Sequence, residues 1–243
     1  TDRRSPETGH LKLGILTMEY TLSLALVDFL PVGFTAIGLY FIYRMVAHIN
    51  AMQGNVAALG AILTVAGGFF KALWKLLMAS SGGTIDINWM EDGLFVFMAP
   101  GYTLLAWSVW QTVRTVQGKK TFNTWLAPAI IIAVMFAGSF YLYTSNPASP
   151  AWERVLLSVM VLATVITGIL LIVFGFRQKL PLAGWLFIIN LVGIFLLNGL
   201  ARMDDQTIAL QWIEESINAI SWLCFAIASK KIYEYTRDNF GVK

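Results

Sequence analysis

Long apolar runs alternate along this chain with short polar connectors. Seven runs stand out, roughly 18–47, 54–80, 92–116, 122–144, 152–176, 181–202 and 208–233. Each can cross a hydrocarbon core as a helix, which takes about 20 residues. The runs are too long and continuous for the alternating strands of a barrel, and open sheet edges cannot exist in lipid. The pattern predicts an all-α membrane protein, a seven-transmembrane helix bundle in contact with the lipid bilayer. Composition agrees. The chain is 57% hydrophobic and 13% charged, with a mean hydropathy of +0.67, where a soluble domain carries about 25% charged residues.

The polar connectors contain a repeat. TIDINWMED (84–92) and TIALQWIEE (207–215) share a threonine–isoleucine start, a tryptophan and a terminal acidic pair. Upstream, FFKALWK aligns with LLNGLAR, which pairs Lys71 with Asn198 and Lys75 with Arg202. FTAIGLYFIYR in the first span matches ATVITGILLIVFGFR in the fifth more weakly. Spans one to three therefore resemble spans five to seven. The predicted organisation is a tail (1–17), a first three-helix repeat (18–116), a linker helix (122–144), a second three-helix repeat (152–233) and a C-terminal tail (234–243). Three spans plus one linker span restore the chain's side, so the repeats insert in parallel, about an axis along the membrane normal.

Charge placement sets orientation. Arg44, Arg114, Lys119, Lys120, Arg177, Lys179, Lys230, Lys231, Arg237 and Lys243 collect on one side, against Glu234 and Asp238. The other side carries Asp86, Glu91, Asp92, Glu153, Asp204, Asp205, Glu214 and Glu215, with Arg154 and Arg202. The positive-inside rule places the N-terminus outside and the C-terminus in the cytosol of a plasma or bacterial inner membrane. Arg3, Arg4 and Lys12 in the tail run against this, and six loops agree with it. LKLGILTMEY reads as an interfacial segment rather than a signal-peptide core.

This three-plus-one-plus-three layout resembles the SWEET and PQ-loop transporters and, more distantly, the microbial rhodopsins. The resemblance is one of organisation. No PQ dipeptide occurs, Pro31, Pro100 and Pro128 do not recur symmetrically, and Lys230 and Lys231 lie at the cytosolic end of the last span rather than mid-span, where a retinal would be held. No family residue carries over.

Ionisable groups inside a span cost about 2.5–3.5 kcal/mol each on insertion scales and mark functional candidates. Depth counting puts Asp28 and Lys71 at similar levels and pairs them, with Lys75 one turn away on the same helix face and free to snorkel. Asn190, Asn198, Arg202 and Asn218 add polar groups from spans six and seven. Glu91 and Glu214 begin spans three and seven, and Trp89 and Trp212 rim the outer side. These eleven residues predict an outward-opening, ligand-binding vestibule. The alternative is a Lys–Asp staple with ordinary interfacial tryptophans and carboxylates favoured by helix dipoles. Gly67 and Gly68 read as close helix packing or as room for a ligand, and Pro100 and Pro31 as kinks.

With histidines only at 10 and 48 and one cysteine at 224, no protein-built metal or haem site is expected, and no cofactor. Hydrolase, metalloprotease and phosphate-loop motifs do not occur. The leading expectation is a non-enzymatic transporter of a small polar or charged solute or ion, in which protonation of Asp28 loosens its hold on Lys71. The alternatives are a non-catalytic subunit or ligand-sensing module with a membrane-protein partner or as a homo-oligomer, and an intramembrane lipid enzyme using carboxylates. No nucleic-acid partner is expected.

Overall fold

The computed structural model describes residues 21–122, 124–201, 203 and 207–240. Arg202 and the predicted 1–17 tail lie outside the described residues. Eight helical segments follow one another: α1 (Leu22–Val27), α2 (Phe29–Ile49), α3 (Ala51–Ser80), α4 (Asn88–Val116), α5 (Leu126–Ser145), α6 (Ala151–Arg177), α7 (Pro181–Leu200) and α8 (Ile208–Asn239). The split between α1 and α2 follows from Pro31. It has no N–H for the carbonyl of Val27, and its ring crowds that carbonyl. Asp28 sits at the break, closing α1 with its own N–H on Leu24 O. Pro100 lies within α4, which continues through it.

Among the described residues, six stretches are long and apolar enough to cross a membrane: α1 with α2, then α3, α4, α5, α6 and α7. The chain is a multi-pass, all-helical membrane protein. α8 matches the length of a span but is not among the six. Its inward positions run 211, 215, 218, 222, 225, 229, 232 and 236, a spacing of alternate fours and threes that keeps one seam facing its neighbours. Gln211, Glu215, Phe225, Ser229, Ile232 and Thr236 on this seam are buried. The seam is largely polar and the C-terminal part of the helix carries Lys230 and Lys231, so mean hydropathy falls although the helix is packed.

Helices α2, α3, α4, α6, α7 and α8 form a ring in that order, closed by α8 against α2, while α5 leans on α6 and α4 from outside. Close approaches hold the ring. A Cβ at Gly101 would meet Thr64 Oγ1 at 2.5 Å, and one at Gly60 would meet the Gly101 carbonyl at 2.7 Å. α3 and α4 therefore cross at backbone contact. The dry core fills the half of the ring near Arg44, Arg114 and Arg177, with Leu39, Ile42, Leu105, Val109, Phe174, Phe187 and Ile232 buried.

The repeated polar motif starts the two halves differently. Thr207 Oγ1 accepts from Leu210 N at 3.2 Å and caps α8. Thr84 instead donates to Ser81 O, and its helix begins only at Asn88. Ala209, Leu210 and Gln211 are good helix formers. Asp86, Ile87 and Asn88 compete with or crowd a helical backbone.

Candidate functional site

Asp28, placed by the Pro31 break, faces the end of α3. Lys75 Nζ lies 2.6 Å from Asp28 Oδ2 and 3.4 Å from Glu215 Oε1. Three segments thus converge: the α1–α2 junction, α3 and α8. Asp28 is 7% exposed and Glu215 8%. The two carboxyl groups face the same ammonium, and Glu215 Oε2 is buried with no hydrogen-bond partner. With both ionised, two carboxylates share one ammonium and leave one negative charge in excess.

The predicted Asp28–Lys71 pair is not formed. Asp28 is six residues past the start of α1, Lys75 five residues before the end of α3, and Lys71 nine. Antiparallel neighbours meet at equal depth, and the true helix ends move the match by one turn. Lys71 pairs instead with Glu91, Nζ to Oε1 at 2.8 Å, and stacks over the Trp74 ring at 4.3 Å. Trp74 Nε1 in turn donates to Asp86 Oδ1 at 2.9 Å. Asp92 and Glu153 border the same recess as Lys71 and Glu91.

The cluster opens on a cavity of about 420 Å³ that draws its wall from α2, α3, α4, α6, α7 and α8. That size falls in the range of small-molecule sites. Asp28, Lys71, Lys75, Asn198, Glu215 and Asn218 supply its charged and amide groups. Val32, Val65, Met98, Met160, Leu197 and Trp222 supply much of its apolar wall. Thr64, 1% exposed, adds a hydroxyl with no hydrogen-bond partner. The glycine pair divides its roles. A Cβ on Gly67 would meet Met98 Cγ at 2.8 Å, whereas Gly68 has only Val32 at 3.5 Å and lines the cavity.

Five of the predicted residues therefore share one cavity: Asp28, Lys71, Lys75, Asn198 and Asn218. Glu91 joins through Lys71 and is itself half exposed. Asn190 does not reach it. Its amide donates to Ser221 O at 3.1 Å, tying α7 to α8, beside a separate void of about 20 Å³ bounded by Tyr102 and Thr167. Trp89 and Trp212 are 57% and 38% exposed and lie outside the cavity wall. Trp89 packs edge-on against Phe70. Glu214 is also off the wall. Its neighbour Glu215 takes the inward place, because one residue turns a helix by about 100°. The four–three seam of α8 contains Glu215 and not Glu214, and that spacing was the available signal.

Among the described residues, no group of three His, Cys, Asp or Glu side chains is arranged to hold a metal ion. Comparison with protein-family models, curated proteins and solved structures gives no match, so a function must be argued from the site itself.

Proposed function

We propose that the chain is a membrane transporter of a small polar or charged solute, bound in the cavity beside Asp28, Lys75 and Glu215. The observation that carries this reading is the cluster itself: two buried carboxylates and a half-buried lysine from three segments, arranged on a cavity rather than sealed in a dry core. Charges at such depth are costly, and a purely structural pair gains nothing from a third group with an unsatisfied oxygen. The dry half of the ring toward Arg44 and Arg114 closes the cavity's other end.

In this reading the chain crosses the membrane seven times, with α8 as the last crossing, the N-terminus outside and the C-terminus cytosolic in a plasma or bacterial inner membrane. α1–α4 and α6–α8 are parallel repeats. The ring contacts support that: a twofold exchange of the repeats turns α4 against α6 into α8 against α2, and both contacts exist. The solute enters from the side of the acidic loops. Adding a proton to the Asp28–Glu215 pair removes the excess charge and weakens the hold on Lys75, and the Pro31 break lets α1 move relative to α2.

The test is a solute panel on purified protein. A ligand that binds the native state raises the melting temperature in proportion to its concentration. Stabilisation of the wild type and not of Lys75→Ala, followed by uptake of the same solute into proteoliposomes, supports the reading. No stabilisation, together with stable co-purification of a second membrane protein, overturns it in favour of a non-catalytic subunit.

A further inference from the structure

Resting on that transporter reading, we propose that the occupant of the cavity is an organic monocation, a protonated amine or quaternary ammonium on an apolar body, and that protons compete with it for the same carboxylates. The charge pattern excludes an anion first. Lys71 is held at 2.8 Å by Glu91 and covered by the Trp74 ring. Lys75 lies between Asp28 and Glu215. Neither ammonium is left for a carboxylate or phosphate ligand.

What remains is acceptor capacity. Glu215 Oε2 is buried and without a hydrogen-bond partner, on a residue that lines the cavity. Asn218 lies three residues on along the same face of α8, and Asn198 faces the cavity from α7. The charged groups facing this point are Asp28 from the α1–α2 junction, Lys71 and Lys75 from α3, and Glu215 from α8. α4 contributes Glu91, already on Lys71, while α6 reaches the cavity with Met160 and α7 with Asn198, neither charged. One positive charge added here neutralises the cluster.

The wall selects an organic cation over a metal ion. A hard inorganic cation requires several oxygens around it. Here the wall beyond the carboxylates is Val65, Met98, Met160, Leu197 and Trp222. Methionines adapt to varied apolar shapes, and a tryptophan face attracts an ammonium.

The experiment measures binding to the detergent-purified full chain of four probes at matched ionic strength: hexylammonium, tetrapropylammonium, hexanoate and hexanol. The two cations bind at one per chain, and hexanoate and hexanol do not. Binding weakens on acidification, by up to about tenfold per pH unit once the carboxylates take up protons. Glu215→Gln, which keeps the side chain's shape, lowers cation affinity about ten- to a hundredfold and flattens the pH dependence. Should that variant not fold, Asp28→Asn and the wild-type pH profile carry the same test. Hexanoate or hexanol binding in place of the cations overturns the proposal, and so does cation binding that is indifferent to pH or to Glu215→Gln. The two readings fail separately. Cations that bind but do not enter proteoliposomes sink the transporter and keep the cation site. A neutral or anionic solute that is bound and carried sinks the cation site and keeps the transporter.

Discussion

Lys75 Nζ sits 2.6 Å from Asp28 Oδ2 and reaches Glu215 from the same position, joining the α1–α2 junction to α3 and α8. Lys71, one turn deeper, bonds Glu91 at the half-exposed edge. The two lysines share a helix face and stand in different surroundings, and this separates their mutants.

Lys75→Ala leaves two buried carboxylates without their counter-charge. Removing one partner of a buried pair costs about 3 kcal/mol or more. Lys71→Ala removes a partly exposed pair and costs at most about 1 kcal/mol. Thermal unfolding of the two variants side by side should show a much larger drop for Lys75→Ala. Equal drops would contradict the assigned pairing.

The helix crossings make a second contrast. A Cβ on Gly193 would collide with the Ser221 side chain, whereas one on Gly138 meets nothing within 4 Å. Gly193→Ala should destabilise by about 1–3 kcal/mol through overpacking. Gly138→Ala, inside α5, should be neutral or mildly stabilising. Unfolding midpoints in one detergent decide it, and a harmless Gly193→Ala would argue against the α7–α8 packing.

Pro31 accounts for the break at Asp28. Pro31→Ala supplies an N–H for the Val27 carbonyl and should join α1 to α2 as one helix. Amide exchange near residues 28–31 should slow, and solute uptake should fall as Asp28 is drawn off Lys75. Unchanged exchange would show that the break has another cause.

Most of the bundle was legible in the chain, because apolar runs of span length admit few forms in lipid. The runs at 54–80 and 152–176 differ from α3 and α6 by no more than three residues at either end. Two features were harder to read. The Asp28 partner depends on a difference of one helical turn, less than the uncertainty of helix ends judged from sequence. The choice of Glu215 over Glu214 depends on which way α8 is rotated, and the acidic pair itself carries no rotation. The seam through Gln211, Asn218, Trp222 and Phe225 does carry it. Trp89 and Trp212 share a motif, yet the two copies begin their helices at different points, and neither tryptophan lines the cavity.

The central claim is a solute cavity on the acidic-loop side of the membrane, and labelling of Asn218→Cys in a Cys224→Ser background tests it most directly. Asn218 lines the cavity, whereas Ile220 on the same helix is 59% exposed outside it. A small cationic thiol reagent applied from the side of the acidic loops should modify Cys at 218 faster than an anionic one of the same size. Hexylammonium should slow that reaction, and Ile220→Cys should stay unreactive in lipid. Modification of 218 that ignores reagent charge and added amine, or no modification from that side, would contradict the account.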